Sequence, residues 1–172
     1  TYNLGDISEA DPALTPDHDL LTYSFPCTDV SVAGAQEGLD PDSGTRSSLL
    51  WECEKIIKAK APDYLLMENV KNLVGARHID NFHKWLVKLS ELGYTSYYAI
   101  LNAKDYDVPQ NRERVFVVSI KGGGIDEYVF PPTMTLTKCV NDLLEDEVPE
   151  NMYMGHTLVR TDNPNVGLRS DE

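Results

Sequence analysis

The stretch Leu20-Leu21-Thr22-Tyr23-Ser24-Phe25-Pro26-Cys27 decides how this chain folds and where its chemistry lies. Its first six residues form a short, mostly apolar run, which predicts a buried strand over 20–25. Proline then ends the strand, because it has no N–H to donate to a neighbouring strand. Cys27 follows at once, where the strand gives way to a loop. Loops held by a rigid sheet commonly carry catalytic residues, so Cys27 is a candidate nucleophile.

The overall composition is that of one globular domain with a real core. The chain has 172 residues, of which 41% are hydrophobic and 25% charged. Its three cysteines have no metal-ligand spacing, which favours free thiols in a reducing compartment such as the cytoplasm. The four histidines show no metal spacing either, so we predict no metal site. No apolar run approaches a membrane span, and no membrane partner is expected.

The net charge of −13 argues, taken alone, against a nucleic-acid partner. An acidic chain is repelled by a polyanion unless positive charge is concentrated locally. The free cysteines Cys53 and Cys139 are interpreted as ordinary structural residues, because a lone cysteine usually behaves as a small hydrophobe.

Hydrophobic periodicity predicts helices and strands in alternation. We predict a helix over 47–60, with Ser47 and Ser48 available as N-caps, and a helix over 79–92 that ends at Gly93. A short helix is predicted over 136–146, and residues 149–172 show no clear periodicity. The further predicted strands are the one that ends at Asp6 and those over 63–67, 94–101 and 115–120.

This alternation predicts an open α/β sheet with mainly parallel strands. In such sheets, ligands bind beyond the carboxyl ends of the strands. Asp6, Cys27 and Glu68 all fall at predicted strand ends, so we expect them to share a site.

Four short motifs follow one another along the chain. They are Gly5-Asp6-Ile7, Pro26-Cys27, Glu68-Asn69-Val70 and Gln110-Asn111-Arg112-Glu113-Arg114. Any one of them occurs often by chance, whereas all four in this order are specific. In order and spacing they resemble the cytosine carbon-5 DNA methyltransferase family, over residues 3 to about 120. The resemblance implies a Rossmann-like S-adenosylmethionine-dependent methyltransferase fold, with a mainly parallel sheet that is incomplete at both ends.

The resemblance also implies three catalytic residues. Cys27 is the thiolate that adds to carbon 6 of a cytosine flipped out of the duplex. Glu68 relieves the charge that develops on the ring, by holding a proton or sharing one with nitrogen 3. Arg112 contacts the cytosine oxygen and helps to orient Cys27. After Pro26-Cys27 the family commonly has glutamine, whereas this chain has Thr28, so contacts around the flipped base are expected to differ.

The remaining site residues follow from the same resemblance. S-Adenosyl-L-methionine is the implied cofactor, and its expected contacts are Asp6, Ile7, Pro26 and Leu49. The expected contacts to DNA or to the target base are Gln110, Arg114 and Ser31, with Arg114 acting as a structural or phosphate partner.

The resemblance implies that segments of the family lie outside this chain. Residues 1–130 correspond to part of the catalytic domain, and 131–172 to the start of the connection toward the target-recognition region. Positive charge on that region would offset the charge of −13, so double-stranded DNA is the expected partner of the full-length protein. The protein is expected to act as a monomer or with a split-subunit partner, in a bacterial or phage-infected cell. This chain alone is expected to be inactive.

Two other readings remain open. One is a transfer-RNA cytosine methyltransferase related to the same family, although the residues after Cys27 do not match that branch. The other is a non-catalytic fragment or subunit of a split methyltransferase. The intact Cys27, Glu68 and Arg112 argue against loss of function.

Overall fold

The computed structural model describes residues 3–25, 49–124, 128–147 and 149. Two helices and four strands alternate along these ranges, and short 3-10 turns separate some of them. The helices and strands are β1 (Leu20–Tyr23), α1 (Leu50–Lys60), β2 (Tyr64–Val70), α2 (Ile79–Glu91), β3 (Tyr94–Asn102) and β4 (Glu113–Lys121).

The four strands form one sheet in the order β1-β2-β4-β3. β1 and β2 are parallel, whereas β4 is antiparallel to both of its neighbours, β2 and β3. Three strands therefore run in one direction, which confirms the prediction of an α/β fold with a mainly parallel sheet. The exception is β4, which runs in the opposite direction. The reason lies in residues 103–112, which join β3 to β4 with one 3-10 turn, Ala103–Tyr106. A parallel crossover needs a dozen or more residues, usually including a helix.

Both helices bury one face in a single core. Leu50 and Ile57 of α1, and Phe82, Trp85 and Leu89 of α2, belong to the same buried cluster. That cluster also contains alternate residues of the two central strands, namely Leu65, Met67, Val115 and Val117. Because side chains alternate across a strand, the residues between them lie on the opposite face of the sheet. Glu68 and Arg114 lie on this second face and are only partly buried.

The helix and strand limits follow the sequence closely, with differences at their starts and ends. α1 begins at Leu50 with Leu49 as N-cap and no side-chain cap hydrogen bond, while Ser47 and Ser48 lie outside the described residues. β2 continues to Val70, so Glu68 lies within the strand and not beyond it. Gly93 has a φ of 88°, as expected for a residue that ends a helix.

Two predicted elements are wrong. Residues 3–6 form no strand, and Asp6 instead opens a turn in which Glu9 N donates to Asp6 O at 3.1 Å. The helix over 136–146 is absent apart from a 3-10 turn, Val140–Leu143. The described residues from 131 to 147 are all exposed. A short helix that buries no apolar face is marginal in water, which explains the difference.

The chain divides into two compact units, residues 1–137 and 138–172. The sheet and both helices belong to the first unit. In the second unit, the carboxylate of Asp142 accepts a hydrogen bond from the backbone N–H of Cys139 at 2.7 Å. Within the described ranges, no helix has the length and apolar character needed to cross a membrane.

Candidate active site

A cavity of about 360 Å³ opens on the second face of the sheet, over β2, β4 and the end of β3. Its charged lining consists of Glu68, Arg112 and Arg114, and Leu101, Tyr106 and Phe116 contribute to its wall. The structure therefore brings together three residues that the sequence placed in two separate motifs. We call this space the Glu68 cavity.

Glu68 and Arg114 form an ion pair in this cavity. Arg114 Nε lies 3.0 Å from Glu68 Oε1, and their side chains are 23% and 36% exposed. The sheet register explains the contact, because Glu68 is opposite Phe116 and Arg114 is opposite Val70. Glu68 and Arg114 are thus diagonal neighbours on one face of an antiparallel pair, within reach of long side chains.

Arg112 reaches the cavity from the loop that precedes β4. Its backbone N–H donates to the side-chain oxygen of Asn102 and to the carbonyl of Gln110, both at 3.0 Å. Its carbonyl accepts a hydrogen bond from Ala103 N at 3.0 Å. Gln110 is exposed and does not line the cavity. Its carbonyl helps to hold the backbone at Arg112 through the hydrogen bond from Arg112 N.

Asn102 organises this loop, and sequence reasoning gave it no role. Its side-chain amide donates to Asn111 Oδ1 at 2.7 Å, and its oxygen accepts from Lys104 N at 3.3 Å as well as from Arg112 N. Its position at the end of a strand and before a polar loop could have indicated this role, because asparagine side chains readily form hydrogen bonds with nearby backbone groups.

A second cavity of about 290 Å³ lies on the other side of Glu68. Thr22, Tyr23 and Ser24 line it together with Leu66, and it shares Glu68 and Phe116 with the first cavity. The Glu68 side chain therefore borders both spaces, one toward β1 and one toward β3 and β4.

Polar side chains join the end of β1 to β2 beyond the last strand pair. Ser24 Oγ donates to the Glu68 carbonyl at 2.8 Å, and Asn69 Nδ2 donates to the Phe25 carbonyl at 3.1 Å. Asn69 is only 2% exposed, and its Oδ1 accepts from Val70 N at 2.8 Å. The backbone at Phe25, two residues before Cys27, is thereby fixed against the strand that carries Glu68.

Three predicted site residues lie outside the described part of the chain. They are Pro26, Cys27 and Ser31. The structure places Glu68, Arg112 and Arg114 together, and their relation to Cys27 remains a prediction.

The predicted cofactor residues Asp6, Ile7 and Leu49 do not line the Glu68 cavity. Asp6 Oδ1 accepts hydrogen bonds from Ser8 Oγ at 2.7 Å and from Ser8 N at 2.9 Å. These bonds hold the pKa of Asp6 below its usual range, so the carboxylate is ionised at neutral pH. Ile7 and Leu49 are partly buried, and Leu49 sits at the start of α1.

Known proteins resemble the chain over nearly its whole length. The family model described as C-5 cytosine-specific DNA methylase matches residues 1–170. The chain belongs to the C-5 cytosine-specific DNA methylase family. The Type II methyltransferase M2.ScrFI of Lactococcus lactis subsp. cremoris is 57% identical over 162 residues, which are 94% of this chain and 44% of that protein.

One further relative and one solved structure are also similar to this chain. The Type II methyltransferase M.NlaX of Neisseria lactamica is 35% identical over 169 residues, covering 95% of this chain and 53% of that protein. The solved structure of the Entamoeba histolytica methyltransferase EhMeth is similar in fold, with a TM-score of 0.56 at 17% identity. That similarity covers 77% of this chain and 41% of the other. This methylase chain thus spans about half the length of the curated relatives it matches.

Proposed function

We propose that the complete protein transfers a methyl group to carbon 5 of cytosine in double-stranded DNA, in a restriction-modification or phage context. Family membership supports the reaction class. The observation that carries the proposal is the Glu68–Arg114 ion pair, which faces the same cavity as Arg112. A carboxylate and two guanidinium groups on one wall are suited to a polar ring such as a flipped cytosine.

Cys27 is the proposed nucleophile. Its thiolate forms a bond to carbon 6 of cytosine, and the electron pair displaced from the C5–C6 double bond makes carbon 5 nucleophilic. The electron pair on carbon 5 would form the bond to the methyl group as the methyl–sulfur bond of the sulfonium donor breaks, with a neutral thioether as the leaving group. Carbon 5 then releases its proton to solvent. The electrons of that C–H bond restore the double bond as the sulfur–carbon bond breaks, which returns the Cys27 thiolate.

Glu68 and the two arginines have distinct proposed roles. Glu68 is proposed to face nitrogen 3 and the exocyclic amine. By sharing a proton with nitrogen 3, it relieves the negative charge that builds on the ring as sulfur adds. Arg114 holds the Glu68 carboxylate in one orientation through the 3.0 Å contact. Arg112 is exposed and lines the same cavity. Its proposed roles are to contact the cytosine oxygen and to help orient Cys27.

Asp6, Ile7, Pro26 and Leu49 are the proposed contacts of S-adenosyl-L-methionine. The described members of this set fit such a group, because Asp6 offers an ionised acceptor next to the partly buried, apolar Ile7. Hydroxyl and amino groups need an acceptor of this kind, and an adenine ring packs on apolar side chains. S-Adenosylmethionine, when bound, supplies the methyl group as part of a sulfonium.

The proposed DNA contacts are Gln110, Arg114 and Ser31. Specific duplex binding is assigned to the complete protein, with residues from 131 onward leading toward its target-recognition region. The net charge of −13 makes this chain alone a poor ligand for DNA. The chain alone is therefore expected to be inactive, and assays require the complete protein.

Covalent trapping tests the proposal. The complete protein is incubated with S-adenosylmethionine and duplex DNA that contains 5-fluorocytosine, from which carbon 5 cannot release a proton. We expect a protein–DNA adduct that maps to Cys27 by mass spectrometry and is absent from Cys27→Ala. An adduct on transfer RNA but not on DNA would identify the RNA-modifying branch instead. No adduct on either substrate would favour a non-catalytic subunit.

A further inference from the structure

Residues 131–137 lie against the turn that follows β3. Tyr106 Oη donates to the Pro131 carbonyl at 3.1 Å, and Met134 N donates to the Asp105 carbonyl at 2.7 Å. Tyr106 and Pro131 both line the Glu68 cavity. The same two segments therefore form part of the cavity wall and hold each other in place.

Asp107 completes this contact with its side chain. Asp107 Oδ1 accepts hydrogen bonds from Thr137 N at 2.7 Å and from Thr137 Oγ1 at 2.9 Å. Asp107 has a φ of 60° and a ψ of 28°, in the left-handed region that favours glycine. Aspartate is among the few side chains that tolerate this conformation. Glycine would suit the backbone better, whereas the carboxylate is what binds Thr137.

Thr137 is also the last residue of the first compact unit. The chain continues from there into residues 138–172, which lead toward the proposed target-recognition region. The Asp107–Thr137 contact thus fixes the point at which the chain leaves the unit that contains the Glu68 cavity. Asp107 follows Tyr106 directly. The residue that binds Thr137 is therefore next to a residue of the cavity wall.

We infer that Asp107 is a positioning residue for DNA engagement, acting through Thr137. This inference rests on the proposed function, because it assigns the region beyond Thr137 to target recognition. Without the contact, residues 131–137, which contribute Pro131 to the wall of the Glu68 cavity, would be held less firmly, and fewer molecules would be ready to engage the duplex. Loss of the contact should therefore raise the KM for DNA and leave the turnover of bound DNA nearly unchanged.

Asp107→Gly is the decisive variant, because it removes the carboxylate and keeps the backbone conformation. Asp107→Asn is its matched control, since the amide oxygen retains an acceptor at Oδ1. Thr137→Ser keeps both donors, and Thr137→Val removes the hydroxyl donor. The complete protein is assayed for the KM and kcat of methyl transfer to duplex DNA at saturating S-adenosylmethionine, and for its thermal midpoint.

For Asp107→Gly, we expect the KM for DNA to rise about five-fold, the size of effect that one or two exposed hydrogen bonds give. We expect kcat within about two-fold of wild type and a thermal midpoint within about 2 °C. Asp107→Asn and Thr137→Ser should retain near-wild-type KM, and Thr137→Val should be intermediate. A wild-type KM in Asp107→Gly, or a KM that rises only together with loss of thermal stability, overturns the positioning role.

Hydrogen exchange supplies a readout that does not depend on activity. Exchange at the Thr137 amide should be faster in Asp107→Gly than in wild type and Asp107→Asn. Unchanged exchange would show that the contact does not hold the segment, and would overturn the inference whatever the kinetics. A wild-type protein that transfers no methyl group to DNA would overturn the proposed function and the positioning role with it. If exchange at the Thr137 amide were still faster in Asp107→Gly, that result would show that Asp107 holds Thr137 even though the proposed function is wrong.

Discussion

Arg114 Nε lies 3.0 Å from Glu68 Oε1, and this ion pair joins two strands at the wall of the Glu68 cavity. The contact is a consequence of sheet register, since Glu68 and Arg114 are diagonal neighbours on one face. The two side chains are 36% and 23% exposed, so solvent weakens their attraction. Such a pair contributes on the order of 0–1 kcal/mol to stability. We therefore expect the pair to act mainly by orienting the carboxylate, which would give Arg114 a role in the reaction and not only in the structure.

Replacing Arg114 should damage the reaction far more than it damages the fold. We expect Arg114→Ala to lower single-turnover methyl transfer by about 100-fold or more, as for loss of one preorganised charge contact. Arg114→Lys should recover little of the rate, because lysine lacks the planar guanidinium. The free energy of unfolding should fall by at most about 1 kcal/mol. Rapid-quench methylation and urea unfolding of the complete protein measure the two effects.

The Lys71–Glu113 ion pair provides a matched control for Arg114. Its nitrogen–oxygen distance is 2.9 Å, its side chains are 53% and 45% exposed, and neither residue lines the Glu68 cavity. Lys71→Ala should leave the single-turnover rate within about two-fold of wild type, because exposed pairs contribute little. A comparable fall in both variants would indicate a general electrostatic effect and contradict the proposed role of Arg114.

The Asn69 side chain should contribute more to the stability of the fold than the nearby Ser24 side chain does. It is buried, donates to the Phe25 carbonyl and accepts from Val70 N. Asn69→Ala removes both of these hydrogen bonds, which costs about 1–3 kcal/mol of unfolding free energy. Ser24→Ala removes one more exposed hydrogen bond, to the Glu68 carbonyl, and should cost less. Urea unfolding compares the two, and equal losses would mean that Asn69 does not fix the end of β1.

Much of the framework could be predicted from local pattern. The apolar residues of α2 recur at helical spacing and are buried as expected, among them Phe82, Trp85 and Leu89. Gly93 marks the end of that helix. These features depend on residues close together in sequence, where periodicity and chain termination are informative.

The part of the site that sequence could not predict depends on register. Two arginines stand one residue apart, and their motif alone does not tell which of them meets Glu68. β4 begins at Glu113, so Arg114 lies within the strand and on the cavity face, while Arg112 precedes it. From the sequence, we predict that this strand starts at residue 115. Arg114 then falls outside the predicted strand, so it could not be assigned to either face of the sheet. The contact of Asp107 with Thr137 was also invisible, because it joins residues 30 positions apart across an irregular turn.

Trp85 should anchor the packing between α2 and β1. Trp85 is fully buried, and its Nε1 donates to Tyr23 Oη at 3.1 Å. Burial is the main reason that the pKa of Tyr23 is raised, so its hydroxyl stays protonated. Trp85→Phe removes the donor and leaves unfilled space, and should lower the unfolding free energy by about 2–4 kcal/mol.

Trp51 supplies the comparison for Trp85. Its ring packs edge-on against Trp85 with centroids 5.6 Å apart, and it is only partly buried. Trp51→Phe should therefore cost less than Trp85→Phe in the same urea titration, followed by the fluorescence of the remaining tryptophan. A larger loss for Trp51→Phe would show that the core is organised around α1 instead.

Cys53 should resist alkylation until the pH is far above neutral. Burial raises the pKa of the Cys53 thiol from 9.0 to about 11, and Sγ donates to the Leu49 carbonyl at 3.8 Å. Because only the thiolate reacts, iodoacetamide at pH 8 should label the exposed Cys139 quickly and Cys53 very slowly. The folded protein holds the Cys53 proton more tightly than the unfolded chain does. The contribution of this thiol to the free energy of unfolding is therefore complete below pH 9 and is lost as the pH rises toward about 11. Peptide mapping by mass spectrometry measures both labelling rates, and equal rates at pH 8 in the folded protein would contradict the burial of this thiol.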